Sequence, residues 1–292
     1  MTFEALAGQT ISGISLGMVW FLIAVGLSII FGTLKVLNLA HGSLYMLGSY
    51  TCYQVTTSLA PLAGNFWLAV LLAPLVVALV GGLIEVFLLR PIYKAEMLYQ
   101  YILTFALVLI IAEVCKIIWG AGYHSISVPW PFKGSVRLFG LTFPQYNLFL
   151  IVMGAVVFMG LRLLINHTSL GRIIRAVTHN REMANALGVN VPWVYTGVFM
   201  LGSWLAGLAG CLWPPMSAVT LGSDMAVVID CFIIVVIGGL GSLSGAFLGA
   251  IILGLTTAYG VLFVPKLAVA FGFILMVIIL IIRPWGLLGE PE

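Results

Sequence analysis

A chain of 292 residues that is 62% hydrophobic and only 7% charged cannot fold as an ordinary soluble domain, since globular chains carry about 25% charged residues. The formal net charge of +3 is too small to suggest a nucleic-acid binder, and the mean hydropathy of +1.20 points to a polytopic membrane protein. No stretch between the apolar runs is long enough for a separate soluble domain, so residues 1–292 read as one transmembrane domain.

A membrane helix needs about 20 apolar residues, and runs near that size recur at 9–34, 36–59, 67–89, 98–119, 146–165, 196–216, 226–241, 244–264 and 267–283. The first is expected to be a crossing and not a cleaved leader, because no basic segment precedes it and the apolar stretch is too long. The predicted fold class is all-α: a polytopic helix bundle of eight or nine transmembrane segments, one or two of them broken or re-entrant. Glycine and polar residues interrupt the second and seventh segments.

The second segment contains "LNLAHGSLYMLGSY" (37–50), with Asn38, His41 and Ser43 beside Gly42 and Gly48. Unpaired polar groups are costly in hydrocarbon, so this stretch must face protein or water. Asn38 and His41, three apart, would share a helical face. With Gly42 and Ser43 they line a translocation path on one reading, and hydrogen-bond two helices together on the other. Further along, Glu85 stands near the inner end of segment three, and Glu113 and Lys116 are spaced to pair locally. Asp230 interrupts the apolar "VVIDCFIIVVIGG" and should be paired or wet, as a path residue or in a capping or packing role.

Small residues four apart predict close helix contacts: Gly13 and Gly17, then Gly202, Ala206 and Gly210, then Gly245 and Gly249. In "IGGLGSLSGAFLGA" (237–250) the glycines are too dense for a stable helix, which places Gly239, Gly241 and Ser242 at a second break. Broken helices in both halves of a carrier often line the substrate path. The four cysteines, Cys52, Cys115, Cys211 and Cys231, lie in apolar segments without metal-ligand spacing. They read as small buried hydrophobes, with no disulfide framework or metal site.

With the N-terminus outside and nine crossings, Lys35, Arg90, Lys94, Arg162, Arg172, Arg175, Arg181 and Arg283 face the cytoplasm. Lys133, Arg137 and Lys266 face outward, with Lys116 at the outer end of segment four. Basic residues concentrated inside satisfy the positive-inside rule and put the C-terminus in the cytoplasm. The longest inward hydrophilic segment is then 166–195, where Leu170, Ile173, Ile174, Val177, Ala184 and Leu187 follow helical spacing. Arg172, Arg175, His179 and Glu182 occupy other faces. One amphipathic helix is predicted, lying against lipid or a partner, ended by Gly188 and kept from continuing by Pro192.

Within that loop "EMANALG" (Glu182, Ala184, Gly188) has the form E-x-A-x-x-x-G. It resembles the cytoplasmic coupling motif through which bacterial ABC-transporter permeases contact their ATPases. "GLSIIFGTLKVLNLAHGSLYMLGSY" (26–50), "LGRIIRAVTHNREMANALGVN" (170–190), "IGGLGSLSGAFLGA" (237–250) and "RPWGLLG" (283–289) follow in order. Together they resemble the shorter permease of the branched-chain amino acid ABC uptake system, in the hydrophobic amino acid uptake family.

The resemblance implies a multi-pass subunit of a bacterial inner-membrane importer. Its implied partners are a second homologous permease, two ATPase subunits, a periplasmic or other extracytoplasmic binding protein and membrane lipid. The implied coupling residues are Gly171, Arg172, Arg175, Glu182, Ala184 and Gly188; the path residues are Asn38, His41, Gly42, Ser43, Asp230, Gly239, Gly241 and Ser242. Relatives of similar sequence carry urea, short amides or carboxylates, and the sequence does not separate these cargoes from leucine. No G-x-x-x-x-G-K-[ST] loop occurs, so this chain needs no cofactor of its own and ATP belongs to the partner ATPases. An ion-coupled carrier using Asp230, Glu85 or Glu113 is the rival, but it has no need of an ATPase-docking motif. A membrane-embedded enzyme finds little support, since no catalytic constellation is present.

Overall fold

The computed structural model describes residues 3–59, 65–93, 95–138 and 141–289; Lys94, one of the basic residues assigned above, lies outside them. The chain opens with a 32-residue helix, α1 (Phe3–Leu34), followed by α2 (His41–Ser58) and α3 (Asn65–Ile84). α3 runs on through a π-turn at Glu85–Leu89 and a 3-10 turn at Arg90–Ile92. After α4 (Met97–Trp119), β1 (Ser135–Leu138) and β2 (Leu141–Pro144) form an antiparallel hairpin that pairs Ser135 with Pro144. α5 (Gln145–His167) then leads to α6 (Ser169–His179) and α7 (Arg181–Ala186). The rest is helical: α8 (Val191–Leu212), α9 (Ser223–Gly238), α10 (Leu243–Phe263) and α11 (Ala268–Ile282).

All nine expected segments contain helices, and among the described residues seven helices are long and apolar enough to cross a bilayer. The exceptions are α2 and α9, the segments interrupted in the sequence. With 16 residues, α9 reaches about 24 Å, short of a hydrocarbon core of about 30 Å.

α1 and α8 occupy the centre: 78% and 72% of their apolar windows are buried, against 17% in α5 and α11. Small residues make that possible. Gly17 and Gly13 lie against Ala250 and Gly254 of α10, the two helices running antiparallel in close backbone contact. Gly48 of α2 meets Gly207 of α8, and Gly210 meets the Tyr45 carbonyl. Peripheral residues such as Leu71, Ile117, Val269 and Ile281 stay exposed, as lipid-facing side chains do. All four cysteines are buried and free.

Three expectations are corrected. Residues 37–40 are not helical, so Asn38 precedes α2 and does not share its face with His41. The 166–195 segment is not one helix: it breaks at Asn180, and Pro192 sits in the first turn of α8, where its missing N–H is harmless. In 237–250 only Gly239–Ser242 are non-helical, while Gly245 and Gly249 lie inside α10.

Candidate functional site

The first break lies between α1 and α2. Lys35 takes a left-handed turn (φ 57°), and the chain runs back beside α1 until the His41 ring meets the Ile23 carbonyl, Nε2 to oxygen 3.0 Å. Ile23 lies well before the last turn of α1, so α2 starts inside the bundle and not at its edge. The carbonyl fixes Nε2 as the donor and leaves Nδ1 as the acceptor. Asn38 Oδ1 accepts from the Ala40 N–H at 3.1 Å, shaping the turn before a helix that has no side-chain cap. Asn38 Nδ2 and His41 Nδ1 are buried without a partner among the described residues. Buried polar groups are usually paired, so two orphans at one helix start call for an explanation.

On the other side of α2, Ser43 Oγ donates to Asp224 Oδ2 at 2.9 Å, and both side chains are buried. Gly42 lies so close to the Asp224 backbone carbonyl that a Cβ there would strike it. Asp224 stands in the first turn of α9, where the helix dipole favours a carboxylate. The sequence reading missed it, although "GSD" before an apolar run is a helix-start signal. Asp230 is half-buried midway along α9 and has no ion-pair partner among the described residues.

The second break joins α9 to α10 through Gly239 (φ 104°) and Gly241 (φ 82°), conformations that favour glycine. Ser242 caps α10 by accepting from the Gly245 N–H at 3.0 Å. The end of α9 is covered by the terminal "RPWGLLG". There the Leu287 and Leu288 N–H groups donate to the Ile237 and Gly238 carbonyls at 2.9 and 3.0 Å. The two breaks also touch: Gly32 packs on Gly241, and Ser28 Oγ donates to the Ser242 carbonyl at 3.4 Å.

α6 and α7 sit at the same end. Thr178 of α6 is hydrogen-bonded to Thr33 of α1 at 3.3 Å. Gly171 lies directly on the Leu164 and Ile165 carbonyls of α5, and Arg175 donates to Ile165. Arg172 is exposed. Asn180 caps α7, accepting from the Met183 N–H at 2.9 Å. The E-x-A-x-x-x-G residues then divide their roles. Ala184 is buried, Glu182 is exposed in the first turn, and Gly188 (φ 85°) closes the helix. The closing bonds are Gly188 N–H to the Asn185 carbonyl and Val189 N–H to that of Ala184, a Schellman motif. Leu170 and Leu187, expected on the packed face, are exposed, as is Met183. Helical spacing assigned the stripe, but the break at Asn180 re-aims α7 and with it Leu187, while Leu170 lies at the very start of α6.

A polar cluster at the foot of α3 went unread beyond Glu85 itself. Glu85 is fully buried and pairs with Arg90, Nη2 to Oε2 3.0 Å. It also accepts from Tyr93 at 2.9 Å and from Thr196 of α8 at 2.7 Å. Arg90 in turn donates to Thr196 and to the Pro192 carbonyl. Burial, then the Glu85 carboxylate, raises the Tyr93 hydroxyl above its ordinary value, so it remains a donor. Glu113 and Lys116 pair at 3.1 Å on the exposed surface.

The four ordered motifs thus meet as one junction of broken helices at the end carrying α7. A profile described as "Branched-chain amino acid transport system / permease component" matches residues 9–280. The chain belongs to this family. It is 28% identical to the high-affinity branched-chain amino acid transport system permease protein BraD of Pseudomonas aeruginosa, covering 97% of this chain and 96% of that one. It is 26% identical to LivH of Escherichia coli K12, again over 97% and 96%. The probable branched-chain amino acid transport permease protein LivH of Methanocaldococcus jannaschii is 30% identical, over 92% and 88%. No solved structure matches. The resemblance read from the motifs is therefore borne out, and the permease is a multi-pass helical membrane protein.

Proposed function

We propose that this permease is one half of the membrane core of an ATP-driven importer for branched-chain or other hydrophobic amino acids. It sits in the inner membrane of a bacterium with its N-terminus outside and its C-terminus in the cytoplasm. A second homologous permease completes the path, two ATPases supply the energy, and an extracytoplasmic binding protein delivers cargo. One observation carries the reading: the exposed α7, with Met183 and Leu187 outward, follows directly on α6, whose Thr178 is bonded to Thr33 of α1 at the junction where both helix breaks meet. An ATPase gripping α7 therefore pushes on the part of the bundle that must rearrange. In this scheme 166–195 is the cytoplasmic coupling loop, with Gly171 and Arg175 fixing α6 to α5 and Arg172, Glu182 and Gly188 meeting or shaping the docked surface. Asn38, His41, Gly42 and Ser43 line the path with Asp230, Gly239, Gly241 and Ser242. The orphan atoms of Asn38 and His41 support this, because cargo or water reaching them would supply their missing partners.

The test is leucine import into proteoliposomes holding the full transporter, with internal ATP present and ion gradients collapsed. Import is expected to continue. If it stops while ATP remains, an ion-coupled carrier replaces this reading. Gly188→Val, strained at positive φ by about 1–3 kcal/mol, and charge reversal at Glu182 are expected to uncouple hydrolysis from import without loss of membrane insertion.

A further inference from the structure

The Glu85 cluster has no part in the path or in docking, yet it joins the foot of α3 to the start of α8. A buried ion pair is weak evidence for stability, since apolar packing often does as well. Its placement is more telling. Between α7 and α8 only residues 187–190 are non-helical, and they are hydrogen-bonded at both ends. The Schellman motif holds Gly188 and Val189, and Asn190 caps α8 by accepting from the Trp193 N–H at 3.4 Å. A displacement of α7 therefore reaches the first turn of α8 with little slack.

The cluster attaches to the first two turns of α8, at Pro192 and Thr196. Thr196 accepts from Arg90, and its single hydroxyl proton faces Glu85 Oε2 at 2.7 Å, with the Pro192 carbonyl of its own helix as a longer second acceptor at 3.0 Å; Arg90 also reaches that carbonyl. On the α3 side the carboxylate rises from a π-turn, a helix form frequent at functional sites. Beyond the cluster, α8 packs Gly202 against Gly26 and Ile30 of α1, and the His41 ring lies against Gly26 as well. A contiguous set of contacts thus runs from α7 through α8 to the first break.

We propose that Thr196 is a positioning residue for transport: through Glu85 and Arg90 it makes the start of α8 and the foot of α3 move as one body when α7 is displaced. The inference rests on the reading that α7 is the ATPase-docking element. Further along, Gly81 packs on Ser203 and Gly207 on Pro74 and Val77. Without the hydroxyl the slip is therefore confined to the start of α8, where only Arg90 on the Pro192 carbonyl still ties it to α3, and part of each stroke would be lost there.

The test uses the complete transporter in proteoliposomes and reads leucine imported per ATP hydrolysed. Thr196→Val keeps the shape and removes the hydroxyl; it is expected to lower that ratio about fivefold or more, a typical coupling magnitude, with hydrolysis still stimulated by the binding protein. Thr196→Ser restores the ratio. Tyr93→Phe removes a bond to the same carboxylate but within the foot of α3, and leaves the ratio unchanged. A normal ratio in Thr196→Val, an equal loss in Thr196→Ser, or an equal loss in Tyr93→Phe overturns the proposal. So does a Thr196→Val permease that fails to assemble where Tyr93→Phe assembles, because the role is then folding. Leu187→Asp separates the two readings: if it leaves stimulation intact, the docking reading fails, whereas uncoupling by Leu187→Asp with a normal Thr196→Val sinks only the proposal.

Discussion

The two helix breaks solve the same problem by different means. At the second, between α9 and α10, glycines at positive φ make the turn, Ser242 caps one helix, and the terminal segment satisfies carbonyls of the other. At the first, between α1 and α2, no glycine takes positive φ, α2 starts without a side-chain cap, and two buried polar atoms stay unpaired. A closed break and one with unmet polar groups in the same bundle suggest a division of labour. The second meets its polar groups from within the chain, and the first keeps polar groups available.

Truncation after Ile282 should produce the largest effect. It strips the donors from two buried carbonyls, at about 1–3 kcal/mol each, and is expected to destabilise the permease severely in thermal unfolding and to reduce assembled yield. A fully stable truncated chain would mean that the second break does not depend on its tail. At the first break, Ser43→Ala leaves the Asp224 carboxylate without its hydroxyl donor, expected to cost about 1.5–3 kcal/mol as a lowered Tm. Adding Asp224→Asn to make a double-mutant cycle would show whether the loss belongs to that bond.

Gly42→Ala is expected to cost about 1–3 kcal/mol by overpacking against the Asp224 carbonyl, and a larger residue there should stop uptake. The smallest effect on stability is expected from Asn38→Ala, below about 1 kcal/mol, because losing the turn bond is offset by removing an orphan donor. Uptake should nevertheless fall severalfold. Cysteines placed at 38, 41, 42 and 43 in a chain lacking its native cysteines should react with aqueous reagent at rates that change with ATP. Unchanged uptake with inert cysteines would turn the first break into packing, and the contrast with the second would vanish.

Much of the architecture was legible because hydropathy is a local property. The nine segments, the weakness of the second and seventh, and the glycine-mediated contacts all follow from spacing along the chain. The split of the 166–195 segment at Asn180 was not legible, because periodicity continues across a one-residue break. Asn38 was misassigned to a helix for a related reason: the turn at Lys35 needs an unfavourable φ that only the packing against α1 sustains.

By itself the sequence determined the membrane class, the nine apolar segments and the family, since each rests on composition, on spacing or on motifs of a few adjacent residues. Which polar groups matter was decided only by the tertiary structure. Asp230, the carboxylate conspicuous in an apolar run, is unpaired among the described residues, while the less noticed Asp224 meets Ser43 across 181 positions. Glu85 finds Thr196 across 111. A buried charge is stabilised by the donors that folding brings to it, and no local property of the chain records where those donors come from.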